Sequence, residues 1–130
     1  MHEKTSNTLL FTGSIAAMTG VTLGAFGAHG LKNIVSAELL GTFETAVRYQ
    51  LYHALGLIAA GLTCRACPPE HTNRFRMVGW LFGTGILLFC GSLYLLVLLD
   101  LPWLGAITPL GGVAFIAGWF MFALSVRKTG

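Results

Sequence analysis

The sequence predicts an all-α integral membrane protein, a four-helix bundle with its N- and C-termini cytoplasmic. Three observations predict it. Of the 130 residues, 55% are hydrophobic and only 10% are Asp, Glu, Lys or Arg, with a mean hydropathy of +0.73; a soluble domain carries about 25% charged residues. The apolar residues gather in four runs, approximately 9–29, 45–64, 77–99 and 107–126, each close to the ~20 residues that cross a hydrocarbon core of ~30 Å. The joints between them are short, so residues 1–130 read as a single four-span transmembrane domain. A backbone in lipid must satisfy its own hydrogen bonds, which makes these spans helices.

Charge placement sets the orientation. Lys4, the joint "RACPPEHTNRFR" with Arg65, Arg74 and Arg76, and the terminal Arg127 and Lys128 share one side of a four-span chain. The other side holds only Lys32 and Arg48. Basic residues mark the cytoplasmic side, so the chain is expected as a multi-pass protein of the cell inner (plasma) membrane. Eight basic residues against five acidic ones are too few for a nucleic-acid surface.

The first run follows "MHEK" and exceeds the ~7–15 apolar residues of a signal-peptide core, so it reads as a retained span. Small residues recur along it, including Gly20, Gly24 and Gly27, and form a smooth face for a neighbouring backbone. Gly79 and Gly83 form the same spacing in the third run. Packing within the monomer is the first expectation and self-association the second. After His29, Gly30 is expected to close the helix in the left-handed conformation.

The second run is the least apolar. Ser36 is a good N-cap. The helix it starts is expected to lie at the interface over about 36–44, with Gly41 permitting a bend, and to enter the membrane near Thr45. The fourth run opens on "ITPLGG": Thr108 is expected as the cap, Pro109 as the first helical residue, and Gly111 and Gly112 as sites of close packing.

Ionisable residues are the candidates for binding. His29 ends the first span beside a joint with little other charge. Glu44 and Arg48 are spaced i, i+4 in the order that favours an ion pair, and Tyr52 continues that stripe. Arg48 is also a candidate partner for Asp100. His53 lies about 12 residues, or ~18 Å, from the Arg65 end of its helix. An ionisable group at that depth is a functional candidate, with a neutral histidine bonded to Ser92, Thr84 or a carbonyl as the alternative. At ~100° per residue His53 lies about 180° from Glu44, so one helix does not converge them. "CRACPPEH" offers Cys64, Cys67 and His71 but no fourth ligand for zinc, so no metal is expected, and no cofactor. There is no GxSxG, HExxH or P-loop pattern.

The blocks "GAFGAHGLK", "FETAVRYQLYHALGL", "LFCGSLYLL" and "ITPLGG" lie in this order across most of the chain. On them the chain resembles the YgdD/YwdK family of small multi-pass inner-membrane proteins, domain-of-unknown-function family 423. The resemblance implies four spans and assigns no activity, catalytic residue or cofactor. The "CRACPPEHTNRFR" joint does not look like part of the shared pattern. The expected function is a non-enzymatic membrane component that interacts with membrane lipid, other membrane proteins or itself, with His29, Arg48, His53 and Asp100 as its main candidate surface. The alternatives are a small transporter using His53 as its intramembrane ionisable group and, third, a haem- or quinone-binding subunit.

Overall fold

The computed structural model describes residues 1–127. They form α1 (His2–His29), α2 (Ala37–Ala66), α3 (Thr72–Gly85), α4 (Gly91–Leu99) and α5 (Thr108–Val126). A single π-helical turn, Ile86–Cys90, joins α3 to α4 in one rod. Short 3-10 turns fill the joints at Leu31–Asn33, Pro69–His71 and Pro102–Ala106. Lys128, counted above with the basic end, lies outside the described residues.

The bundle runs up and down. Gly13 meets Ala54 and Ile58 while Gly27 meets Phe43, so α1 and α2 are antiparallel. Phe75 packs on Phe122 while Phe89 packs on Phe115, so the α3–α4 rod and α5 are antiparallel too. α2 touches α1, α3, α4, α5 and the π turn, and so occupies the centre. Both ends of the chain therefore lie at the same end of the bundle.

The outside is apolar. Phe11, Met18 and Val21 of α1, Trp80 and Leu87 of the rod, and Leu110, Val113, Ile116 and Phe120 of α5 are all exposed. Apolar surface on this scale is stable against lipid, not water. Three helical stretches, His2–Asn33, Pro69–Leu99 and Pro102–Val126, are long and apolar enough to cross a membrane. α2 is not among them despite its 30 residues. It carries exposed charges at Glu38, Glu44, Arg48 and Arg65 as well as Gln50 and His53 in the interior.

Local structure departs from expectation at three joints. Gly30 is not left-handed: its φ and ψ are −95° and −56°, and its N–H donates to the Phe26 carbonyl. A side chain there would press on Phe26, whose ring stands 3.0 Å from where a Cβ would be. The left-handed residue is Asp100, φ 52°, which closes α4 with its N–H on the Leu96 carbonyl; short polar Asp tolerates that conformation. Thr108 is not a cap but the first residue of α5, and its hydroxyl meets Ser92 at 2.7 Å. Ser36 does cap α2, its hydroxyl accepting from the Leu39 N–H. α2 then continues without a break through Gly41.

Close approach explains several glycines. A Cβ on Gly111 would land on the backbone of Phe89, and one on Gly85 in the ring of Phe115. Both contacts hold α5 against the π turn. Gly41, by contrast, has nothing within 4 Å of its Cβ direction. Gly111→Ala is therefore expected to destabilise the bundle by about 1–3 kcal/mol through overpacking. Gly41→Ala is expected to be neutral or stabilising by up to about 1 kcal/mol. Thermal unfolding in detergent, followed by circular dichroism, measures both.

Candidate functional site

Gln50 is a long polar side chain in the middle of α2 and is buried. Its amide nitrogen donates to the Ala16 carbonyl (2.9 Å) and to the Thr19 hydroxyl (2.8 Å), both on α1. Its amide oxygen accepts from the Tyr94 hydroxyl of α4 at 2.6 Å. One side chain thereby ties three helices. The close approach that this needs is supplied on α1, where a Cβ on Gly20 would meet Leu51 at 2.9 Å. The Tyr94 ring in turn packs on Phe43, with centroids 5.1 Å apart.

Less than one turn further along, His53 is buried in an aromatic box. Its ring is stacked on Phe115 at 3.5 Å and 9°, with Phe82, Trp119 and Tyr49 around it. Nδ1 lies 2.7 Å from the Tyr49 carbonyl, which only accepts. Nε2 lies 3.0 Å from the indole N–H of Trp119, which only donates. These partners fix the tautomer: Nδ1 carries the proton and Nε2 carries none. Both nitrogens are occupied, so the ring has no free position for a proton or a metal in this arrangement. The Ser92 hydroxyl, one of the partners considered for His53, instead donates to the Phe89 carbonyl (3.0 Å) and pairs with Thr108.

The other candidates sit elsewhere. His29, Glu44, Arg48, Tyr52 and Asp100 are all exposed. Four of them lie toward the end of the bundle opposite the chain termini: His29 closes α1, Glu44 and Arg48 are in the first half of α2, and Asp100 closes α4, while Tyr52 sits at the middle of α2 beside His53. Among the described residues no ion pair joins Arg48 to Glu44 or to Asp100. The expected bridge is replaced by unpaired charges on an outward face, and His53 is separated from them by its burial. No group of three His, Cys, Asp or Glu side chains is assembled among the described residues. Cys64 is buried beneath the chain start, its sulfur 3.9 Å from His2 Nδ1, and His2 Nδ1 is 2.8 Å from the Thr72 hydroxyl.

Of the glycines expected to pack helices, Gly20, Gly24 and Gly27 face Leu51, Val47 and Phe43 of α2, Gly79 faces Leu9, and Gly111 faces Phe89. Gly112 makes only ordinary contact with Phe89, and Gly83 faces nothing within 4 Å. Sequence reasoning missed Gln50, Tyr94 and Trp119. A glutamine and a tyrosine at mid-helix in two apolar runs were the available signal; nothing in the sequence pairs them.

A family model described as "Protein of unknown function (DUF423)" matches residues 23–112. A UPF0382 membrane protein of Staphylococcus saprophyticus is 45% identical over 119 residues, covering 92% of this chain and 96% of the relative. YwdK of Bacillus subtilis, also named a UPF0382 membrane protein, is 44% identical over 119 residues, covering 92% and 95%. No solved structure matches.

Interhelical hydrogen bonds in membranes are worth about 0.6 kcal/mol on average and up to ~1.7 kcal/mol. Gln50→Leu is expected to cost about 1–3 kcal/mol, since it also strands the Tyr94 hydroxyl. A double-mutant cycle with Tyr94→Phe is expected to return a coupling of about 0.6–1.7 kcal/mol, measured by unfolding in mixed micelles.

Proposed function

We propose that this chain, which belongs to the DUF423 family of membrane proteins, is a non-catalytic multi-pass component of the cell inner membrane that acts by contact with lipid and neighbouring membrane proteins. The observation that carries this reading is the closure of the mid-bundle polar groups on one another; the buried side-chain nitrogen left without a partner among the described residues, His71 Nδ1, lies in the joint between α2 and α3. Gln50, Tyr94, His53, Trp119, Ser92 and Thr108 bond across helices. A group that moves protons or holds a cofactor needs a free valence facing a path, and His53 has both nitrogens engaged. The charged groups that are free lie on the outside; His29, Arg48, Glu44 and Asp100 are the contact surface proposed at the far end, with Tyr52 exposed on α2 below them.

In this reading α2 is the fourth span. It runs antiparallel to α1 from Phe43 to Gly61, so it is at the same depth as a helix that is apolar enough to cross. The end bearing the chain termini carries Lys4, Arg65, Arg74, Arg76 and Arg127 against Glu3 and Glu70, five basic to two acidic among the described residues. The opposite end carries Lys32 and Arg48 against Glu38, Glu44 and Asp100, two to three. That asymmetry supports a cytoplasmic position for both termini.

Two measurements test this. In a cysteine-free background, Lys32→Cys is expected to react with a membrane-impermeant maleimide in intact cells and Glu70→Cys only after permeabilisation; the reverse pattern overturns the orientation. In liposomes with an imposed pH gradient, the protein is expected to leave proton leak within about twofold of protein-free vesicles. A leak that needs the protein and disappears in His53→Gln establishes the transporter reading instead.

A further inference from the structure

We infer that the groove between α1 and α3, at the end bearing the chain termini, is a binding site for one anionic phospholipid of the cytoplasmic leaflet. This rests on the proposed lipid-contacting role and gives it a place and a headgroup chemistry. The groove encloses about 580 Å³, within the ~300–1,000 Å³ of small-molecule sites. Its mouth is formed by Met1, Lys4 and Arg76, its rim by Trp80, and its depth by Thr12, Leu57 and Gly83. From Lys4 to Thr12 along α1 is eight residues, about 12 Å at 1.5 Å each. The groove thus runs from a cationic end into the apolar region, the polarity of a phospholipid.

Charge decides the class of occupant. Two of the basic residues at this end are already engaged within the bundle: Arg65 donates to the Asn7 side chain and Arg74 to the Leu124 carbonyl. The side chains of Lys4 and Arg76, the two that line the groove, have no such partner and no ion pair among the described residues. Glu3 is not among the residues lining the groove; it lines an adjoining surface, with Asn7 and Phe11, that shares Met1, Lys4 and Thr8 with the groove. A phosphate with net negative charge matches a guanidinium and an ammonium facing one opening.

Shape supports an acyl chain below that headgroup. Gly79 is small because Leu9 lies 2.5 Å from its Cβ direction, so there α1 and α3 touch. One turn further in, Gly83 has nothing from another helix within 4 Å of its Cβ direction among the described residues. The helices do not meet there, and Gly83 lines the groove. Trp80 on the rim is 72% exposed, a ring placed at the headgroup level where interfacial Trp concentrates.

The test is native mass spectrometry of the full chain from micelles holding equal phosphatidylglycerol and phosphatidylcholine. Wild type is expected to retain one phosphatidylglycerol with a preference of about tenfold or more, each basic group near an anionic phosphate supplying about fivefold. Lys4→Gln/Arg76→Gln is expected to bring the preference within about twofold. Gly83→Leu, which fills the groove where no protein atom stands, is expected to lose the retained lipid while unfolding at the wild-type temperature in lipid-free detergent. No preference in wild type overturns the proposal. So does a preference surviving in Gly83→Leu, which puts the lipid on the basic rim, or one surviving in the double variant, which removes anion selection. None of these results bears on the proton-leak measurement, so the groove and the general role fail separately.

Discussion

The side chain of Gln50 is the constraint on which the arrangement of this bundle turns. An amide in a hydrocarbon medium cannot be left without partners. Its nitrogen and oxygen must therefore find a donor and acceptors on other helices, and they do so on two: Ala16 and Thr19 of α1, and Tyr94 of α4. Those bonds set the register of α2 against both neighbours. A shift of either helix by one residue moves a partner about 1.5 Å along the axis and turns it about 100°, which breaks them. Packing between apolar helices in lipid lacks this specificity, because lipid tails are as apolar as leucine.

The remaining interior follows from bringing α2 to that position. Small residues on α1 let the backbones come close enough for the Gln50 amide to reach a main-chain carbonyl. Gly13 lies against the Ala54 carbonyl and Gly20 against Leu51. His53, on the same buried side of α2, is then carried into the gap between α3, the π turn and α5. There Phe115 covers its face and the Trp119 indole meets Nε2. The π turn Ile86–Cys90 lies beside this gap, and Gly111 lets α5 lie on Phe89 within it. Polar pairing, small-residue contact and aromatic stacking thus form one connected interior, while the charges that pair with nothing are left on the two ends.

Much of this was legible in the sequence, and what was not has physical causes. The four helices follow from apolar runs of spanning length, and Ser36 caps α2 as its position and chemistry require. Composition was weakest for α2, since exposed charges at Glu38, Glu44, Arg48 and Arg65 add to the interior Gln50 and His53 and leave it less apolar than the three stretches long and apolar enough to cross a membrane. Gly30 was misread because helix-end glycine is usually left-handed; here it stays right-handed, and the aromatic ring of Phe26, four residues back, leaves little room for a side chain. Asp100 was read as a charge and is also a left-handed helix stop. Glu44 and Arg48 have the spacing of an ion pair, yet in the structure both point outward without meeting. Gln50, Tyr94 and Trp119 were invisible as a set because each needs a partner on another helix, and pairing between helices depends on rotation and register that one sequence does not encode locally. The membership in the DUF423 family fits the same outline and supplies no activity to read into the site.

The central claim is that the mid-bundle polar groups are structural and closed, with His53 held in one neutral tautomer by a carbonyl and an indole. Solid-state ¹⁵N NMR of ring-labelled histidine in lipid bilayers at pH 7, with His53 assigned by its substitution with Gln, tests it most directly. The account predicts a protonated Nδ1 and a bare, hydrogen-bonded Nε2, with through-space contact from Nε2 to the Trp119 indole N–H. A proton on Nε2, alone or together with one on Nδ1, contradicts it.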